Sequence, residues 1–262
     1  MARVFVTGSA DGLGLMAAQA MIGQGHKVVL HARNDVRAEA ARKAAPGAEG
    51  VIVGDLSTLA EMKKVAEQAN DSGRFDAVIH NAGLGDKQPR VETADGFPKV
   101  FAVNSLAPYV LTGLMERPRR LVYVSSQLHL NGDPSLKDVL WKERKWSSAL
   151  AYGDSKLYDV LLAFAVARRW PDVYSNAVHP GWVATKMGGP SATDDLAEGH
   201  ATQVWLAVGE DEGARVSGEY FFHKKKSKVL EAARGEKTQD RFVRICEELS
   251  GVKLEAGKAA GK

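Results

Sequence analysis

Apolar residues along this chain fall into short continuous runs separated by longer stretches of helical period. The runs lie at residues 3–6, 27–30, 51–53, 75–79, 120–124, 173–178 and 219–222, and are rich in valine, isoleucine and aromatics. Such short runs predict strands buried on both faces. After the first run, Leu13, Leu15, Met16, Ala17, Ala20 and Met21 recur at the spacing of one helix face. An alanine-rich helix follows the second run to about Ala45, closed by Pro46-Gly47. Ser57 or Thr58 caps the next helix, with Glu61 in its first turn. Further helices are predicted from near Pro98 through Asn104 to Leu114, over 149–169 and over 239–249. Strands alternating with helices make βαβ units, and right-handed crossovers wind them into one sheet covered on both sides. The expected fold is therefore α/β: a single doubly wound Rossmann-type domain with a mainly parallel seven-stranded sheet. Residues 1–250 form that domain, and 251–262 read as a flexible tail.

Ligands in such sheets bind beyond the carboxyl ends of the strands. Residues 7–14, Arg33, Asp55, Asn81, Ser126 and Pro180-Gly181 all fall at those ends. The first of these, Thr7-Gly8-Ser9-Ala10-Asp11-Gly12-Leu13-Gly14, sits between a strand and a helix. Its glycines permit a tight turn and close approach of a phosphate, and the helix behind it offers unpaired N–H groups and a positive dipole end. The spacing is GxxxGxG rather than the common GxGxxG. Farther along, Tyr152 and Lys156 stand four apart on a predicted helix and so share a face. A phenol alone is a poor acid at neutral pH, and a neighbouring ammonium favours its ionised form, which makes such a pair a workable proton donor to a forming alkoxide.

TGxxxGxG, Asn81-Ala82-Gly83 after the fourth strand, Ser125-Ser126 after the fifth, Tyr152-xxx-Lys156, and Pro180-Gly181 after the sixth appear here in order. Together they resemble the classical short-chain dehydrogenase/reductase family over roughly residues 3 to 222. The run over 121–129 and the long Ser-to-Tyr interval are most similar to its retinol-dehydrogenase-like branch. The resemblance implies hydride transfer between a nicotinamide and a carbonyl or alcohol carbon. It makes Tyr152 the general acid/base, Lys156 its activator and a holder of the nicotinamide ribose, and Ser126, in preference to Ser125, the hydroxyl that orients the carbonyl. Asn104 corresponds to a helix asparagine that holds a relay water; otherwise it is a buried amide satisfying backbone groups. Gly8, Ser9, Asp11, Gly12, Leu13 and Gly14 would form the phosphate loop. Asp55 and Leu56 would lie beside the adenine, and Asn81, Ala82 and Gly83 along the adenosine ribose. Pro180, Gly181, Val183 and Thr185 would contact the nicotinamide carboxamide and phosphates. The family often forms homodimers or homotetramers through the helix around Asn104 and the helix carrying Tyr152, so a homo-oligomer is expected.

The second strand bears on cofactor choice. An NAD site places a carboxylate about 20 residues past the glycines to accept from the ribose 2′-OH. Here that position is Ala32, followed by Arg33, which can hold a 2′-phosphate. NADP is therefore expected in preference to NAD. Asp11 in the glycine loop opposes this by its charge, and Asp35 reads as a helix cap.

Composition narrows the remaining classes. The 262 residues are 45% hydrophobic and 26% charged with a net charge of +3, an ordinary globular balance too mild to imply nucleic acid or an anionic membrane. No apolar window is long enough for membrane insertion and no signal-peptide pattern opens the chain, so a cytoplasmic protein is expected. Cys246 is the only cysteine, compatible with a reducing compartment. The seven histidines show no metal spacing, and no metal is expected. Lys224-Lys225-Lys226-Ser227-Lys228 reads as a solvated loop. Residues 187–200 read as a mobile substrate lid or an ordinary loop, and Trp141 and Trp146 as walls of a pocket or as packing for the insertion that holds them. Substrate contacts would come from 127–150 and 187–200, with a lipophilic aldehyde or ketone as the partner. The alternative is a non-catalytic NADP(H)-binding redox-sensing regulator on the same fold. An epimerase or dehydratase is disfavoured by the glycine spacing.

Overall fold

The structure, a computed structural model, describes residues 1–255. Eight strands form one sheet in the order β3-β2-β1-β4-β5-β6-β7-β8. They are β1 (Arg3–Val6), β2 (Lys27–Ala32), β3 (Gly50–Val53), β4 (Ala77–His80), β5 (Arg120–Val124), β6 (Tyr174–Val178), β7 (Tyr220–Phe222) and β8 (Lys225–Lys226). All neighbours pair in parallel except β7 and β8. The order reverses between β1 and β4, which places a ligand crevice at their carboxyl ends.

Alternation within each strand divides the core into two layers. Phe5 and Val29 face one side, with Met62 and Val65 of α3 (Leu59–Asp71), Leu111 of α5 (Ala107–Leu114) and Leu161 of α6 (Ser148–Arg169). Val4, Val6, Val28 and Leu30 face the other, with Ala17 and Met21 of α1 (Gly12–Gly23), Ala41 of α2 (Asp35–Ala44) and Val204 and Leu206 of α7 (Glu198–Val208). A short α4 (Lys99–Phe101) runs into α5 through one wide π-type turn at Ala102–Leu106. The last helix, α8 (Glu236–Ser250), lies on α6, with Phe242 stacked on Tyr158 at 5.0 Å.

Four expectations change. The sheet has eight strands, because the lysine-rich segment turns back on β7. His223 and Lys224 both have positive φ, 47° and 59°, the conformation of a two-residue hairpin turn that matches strand twist. Lys225 and Lys226 remain exposed, so the segment is both solvated and a strand. Helix α7 was not legible because its buried face includes Gly199, Thr202 and Gln203, which blunts the apolar period. Asn34, not Asp35, caps α2, accepting from the Arg37 N–H at 3.0 Å.

The tail is the fourth correction. Val252 and Leu254 are buried, the Tyr109 hydroxyl donates to Val252 O at 2.8 Å, and the Trp170 indole donates to Glu255 O at 2.6 Å. Residues 252–255 are therefore docked rather than frayed; 256–262 lie outside the described residues. The docked segment and α8 cover α5 and α6, whose residues 107–112 and 153–166 are buried within one chain. Among the described residues no helix is long and apolar enough to cross a membrane.

Candidate active site

Side-chain bonds to backbone groups hold the glycine loop on three sides. Thr7 Oγ1 accepts from the N–H groups of Asn81 and Ala82, each at 3.0 Å. The Asn81 amide donates back to Thr7 O and Gly8 O, at 3.0 and 3.2 Å. Gly8 has φ +65°, and a Cβ there would stand 2.7 Å from Ala82 Cα. A Cβ on Gly14 would run into Asn81 Nδ2 and Gly8 O. Only glycine fits these two positions, because the loop lies directly on the end of β4. His31, unforeseen in the sequence, completes the frame: its Nδ1 accepts from Gly8 N–H at 3.0 Å, and its Nε2–H donates to Gly54 O at 3.0 Å. Burial pushes this imidazole down to about 4, against weaker pulls from Gly54 O and Asp55, so it is neutral.

A cleft of about 700 Å³ opens beyond these strand ends. Gly8, Asp11, Gly12, Leu13, Arg33, Asp55, Leu56, Asn81, Ala82, Gly83, Tyr152, Lys156, Pro180 and Thr185 all line it. Helix α1 points its first turn at this space, and no side chain caps it. Asp11 holds the cap position, but its carboxylate is drawn to Arg37 and, at 3.3 Å, to Lys186. The orphan N–H groups of that turn stay available to an anion, and the charge of Asp11 is offset. Arg37 and Lys186 are cleft residues that sequence reading missed; the basic residue one helical turn past Arg33 was the available signal. Asp35 does not line the cleft.

The floor of the cleft is the first half of α6. Lys156 Nζ is buried, donates to Val124 O at 2.8 Å and to Asp159 Oδ2 at 2.9 Å, and lies 5.9 Å from the centroid of the Tyr152 ring. A Cβ on Gly83 would be 3.6 Å from both Lys156 Nζ and Asn104 Oδ1, so the Asn81-Ala82-Gly83 segment meets the lysine directly. Burial presses the Lys156 ammonium down, but Asp159 and Tyr152 outweigh it and hold its pKa above the usual value. The Asn104 amide is fully engaged. Its Oδ1 accepts from Leu84 N–H at 2.7 Å, and its Nδ2 donates to Leu84 O and Ser155 Oγ, each at 3.0 Å. These bonds tie the post-β4 loop to α6. Of the two serines, Ser125 is buried with its hydroxyl donating to Lys156 O at 2.7 Å. Ser126 is half-buried and accepts from Leu128 N–H at 3.2 Å, which leaves its own O–H free to donate.

Six of the expected residues stand off the cleft wall. Ser9 is turned inward, accepting from His31 N–H and donating to Val6 O. Gly14 packs on the loop backbone, Gly181 on Asp194, and Val183 is buried against Gly199. Asn104 and Ser126 are the other two; Ser125 reaches the wall, but its hydroxyl is committed to Lys156 O, so the free O–H at this edge is that of Ser126. The segment after β6 is tied by backbone bonds: Trp182 N–H donates to Asp194 Oδ2 at 2.6 Å, and Asp194 N–H to Trp182 O at 2.9 Å. Trp141 and Trp146 pack on each other at 5.4 Å with Val100 and Ala151, so they fasten the insertion to the body. A second depression of about 720 Å³, around Arg74, Arg117 and Asp172, lies by the amino ends of β4 and β5, away from this chemistry.

The chain is similar to known proteins. The profile described as short chain dehydrogenase matches residues 2–134. The chain is similar to the short-chain dehydrogenase chyC of Penicillium rubens, 45% identical over 260 residues covering 98% of this chain and 100% of that protein. It is similar to retinol dehydrogenase 14 of Homo sapiens, 33% identical with 95% of this chain and 86% of that protein covered. A solved structure of an uncharacterized protein from Mycobacterium paratuberculosis superposes with a TM-score of 0.83 at 26% identity, covering 97% of this chain and 95% of that one.

Proposed function

The chain belongs to the short-chain dehydrogenase/reductase family, as an NAD(P)-dependent enzyme acting on CH–OH and C=O groups, and we propose that it uses NADP(H) to interconvert a lipophilic ketone or aldehyde and its alcohol. The observation that carries this reading is the meeting of Tyr152, Lys156 and the glycine loop in one cleft. The residues fit the cofactor. The uncapped turn of α1 suits a pyrophosphate, and Gly83 leaves room for a ribose against Lys156. At the end of β2 the chain presents Ala32 and then Arg33, with Arg37 beside it, so cations rather than a carboxylate await the 2′ position. When bound, the nicotinamide supplies or accepts the hydride.

The proton is the work of this chain's own residues. Tyr152 donates its phenolic proton to the substrate oxygen in reduction and recovers it in oxidation. The free O–H of Ser126 hydrogen-bonds the same oxygen as charge develops on it. Lys156 brings a fixed positive charge to the phenol, and Asn104 holds the floor on which both stand. The substrate side is apolar. Of the nine large hydrophobic side chains left exposed among the described residues, five are Leu128, Leu150, Trp182, Met187 and Leu196, in the segments after β5 and β6. Met187 and Leu196 line the cleft itself. Exposed apolar side chains on the wall of a cleft suit an apolar ligand. A panel of aldehydes, ketones and secondary alcohols assayed with NADPH and NADH tests the proposal. Turnover of apolar carbonyls with NADPH is expected; preference for NADH, or for polar substrates only, overturns it.

A further inference from the structure

Tyr152, Lys156 and Asp159 lie along one face of α6, at spacings of four and three. Lys156 thus stands between a phenol and a carboxylate. Asp159 is as buried as the lysine, and its Oδ2 accepts from Nζ at 2.9 Å. Nothing else charged faces it. Tyr123 of β5 and Tyr220 of β7 are its other titratable neighbours, and burial keeps both phenols neutral by raising their pKa values far above the ordinary one. His80 lies beyond Tyr123, stacked on it at 4.8 Å, and burial holds it neutral. His129 lies beyond Tyr220 at 4.5 Å, with Nδ1 bonded to Ser126 O and Nε2 accepting from Leu230 N–H, again neutral. Burial raises the pKa of the Asp159 carboxyl to about 7, the ammonium offsetting only part of that rise, while Asp159 in turn holds Lys156 above its usual value. The direct bond between the two, in a pocket with no rival charge, favours the ionised pair.

The consequence concerns the site proposed above and rests on that reading. An ammonium beside a phenol favours the ionised phenol in proportion to the charge it presents. A carboxylate bonded to the same ammonium cancels much of that charge at a distance. It also anchors Nζ, together with Val124 O, at 5.9 Å from the phenol ring centroid. We propose that Asp159 is a positioning residue that tempers the charge of Lys156, so that Tyr152 keeps its phenolic proton to donate at neutral pH.

The test is the pH profile of Asp159→Asn. Asparagine keeps the shape and an acceptor for Nζ but removes the charge. The alkaline fall-off of kcat/KM for carbonyl reduction should move acidward by roughly half to one pH unit, as should the rising limb for alcohol oxidation, since a negative charge near the tyrosine is lost. NADPH affinity should hold nearly constant. Asp159→Glu, which restores the charge, should return both limbs toward the parent. Asp159→Ser provides the same readout should the amide impair folding, and it too should shift acidward. Limbs that coincide with the parent, or move alkaline, overturn the proposal. Tyr152→Phe run beside these variants separates the outcomes. If it retains turnover, the reading of the site fails; if it is inactive while Asp159→Asn leaves the limbs unmoved, only the role of Asp159 falls.

Discussion

Beside the glycine loop and the end of β4 the cleft is walled largely by backbone, and from β5 onward largely by side chains. In the first region Thr7, Asn81 and His31 direct polar atoms into the loops, and Gly8, Gly12, Ala82 and Gly83 line the cleft, with the side chains of Arg33, Arg37, Asp55 and Leu56 farther along it. In the second, Tyr152 and Lys156 project from α6, and Met187 and Leu196 from the segment after β6. The family profile ends at residue 134, just after the turn that follows β5. A wall made of backbone can take only a few residue types at fixed spacings, because a Cβ in the wrong place collides. A wall made of side chains accepts any residue of suitable bulk, so it can follow the substrate. The two regions should accordingly fail in different ways.

The largest expected effect lies on the side-chain wall. Tyr152→Phe removes one hydroxyl from α6 and no backbone contact of the glycine loop. Turnover should fall by ~10²–10⁴-fold, the usual contribution of a positioned acid, while NADPH binding followed by fluorescence titration stays near that of the parent. Turnover within a few-fold of the parent would remove Tyr152 from the chemistry.

Arg33→Ala probes the opposite end of the cleft. Bonds to a charged group contribute about 1.5–3 kcal/mol, so NADPH binding should weaken by roughly 10- to 150-fold. NADH binding should change little. Arg37→Ala should cost less, because part of its charge already answers Asp11. Dissociation constants for both cofactors decide it; equal loss of NADPH and NADH would show that Arg33 does not read the 2′-phosphate.

The same contrast explains what could be read from the chain. The glycines at 8 and 14 were legible because steric exclusion leaves those positions almost no alternatives. Tyr152 and Lys156 were legible because a four-residue spacing on a helix fixes their geometry locally. His31, Arg37 and Lys186 were not. His31 looks like any strand residue until Gly8 and Gly54, 23 residues away on either side, are folded onto it. Lys186 meets Asp11 across 175 residues. Helix α7 and the docking of Val252 and Leu254 also depend on long-range packing, which neither periodicity nor motif encodes.

The insertion after β5 offers a smaller effect, confined to the side-chain region. Arg144 bonds Asp154 at 2.7 Å and Asp138 O at 3.0 Å, and its guanidinium lies 3.9 Å from the Trp141 ring centroid. Asp154 is buried, and removal of its cation leaves a charge only partly compensated by the Asp133 N–H. Breaking a buried pair costs ~3–5 kcal/mol. Arg144 is 31% exposed, so about 2 kcal/mol is the better expectation for Arg144→Met. A lowered urea midpoint, with kcat reduced more than NADPH affinity, fits a strut that steadies the start of α6. An unchanged midpoint would mean the network around Arg144 contributes nothing to holding the insertion.

The smallest effect per step belongs to the backbone-walled region and appears only on acidification. His31 is neutral with its proton on Nε2, since Nδ1 must accept from Gly8 N–H. Burial lowers its pKa from 6.5 to about 4. Between those values the unfolded chain binds a proton that the native state refuses. The stabilisation is therefore complete above pH 6.5 and is lost as pH falls toward 4, at a slope of up to about 1.4 kcal/mol per pH unit. His80, pushed down to about 3 by burial, acts in the same direction and extends the loss farther. In His31→Gln the amide can both accept from Gly8 and donate toward Gly54, but it does not titrate. Its unfolding free energy, measured by urea denaturation at intervals from pH 7 to 5, should fall less steeply than that of the parent by about one proton's worth. Parallel slopes in the two proteins would mean that His31 is already protonated in the native state, and the bond from Gly8 N–H to its ring would have to be withdrawn.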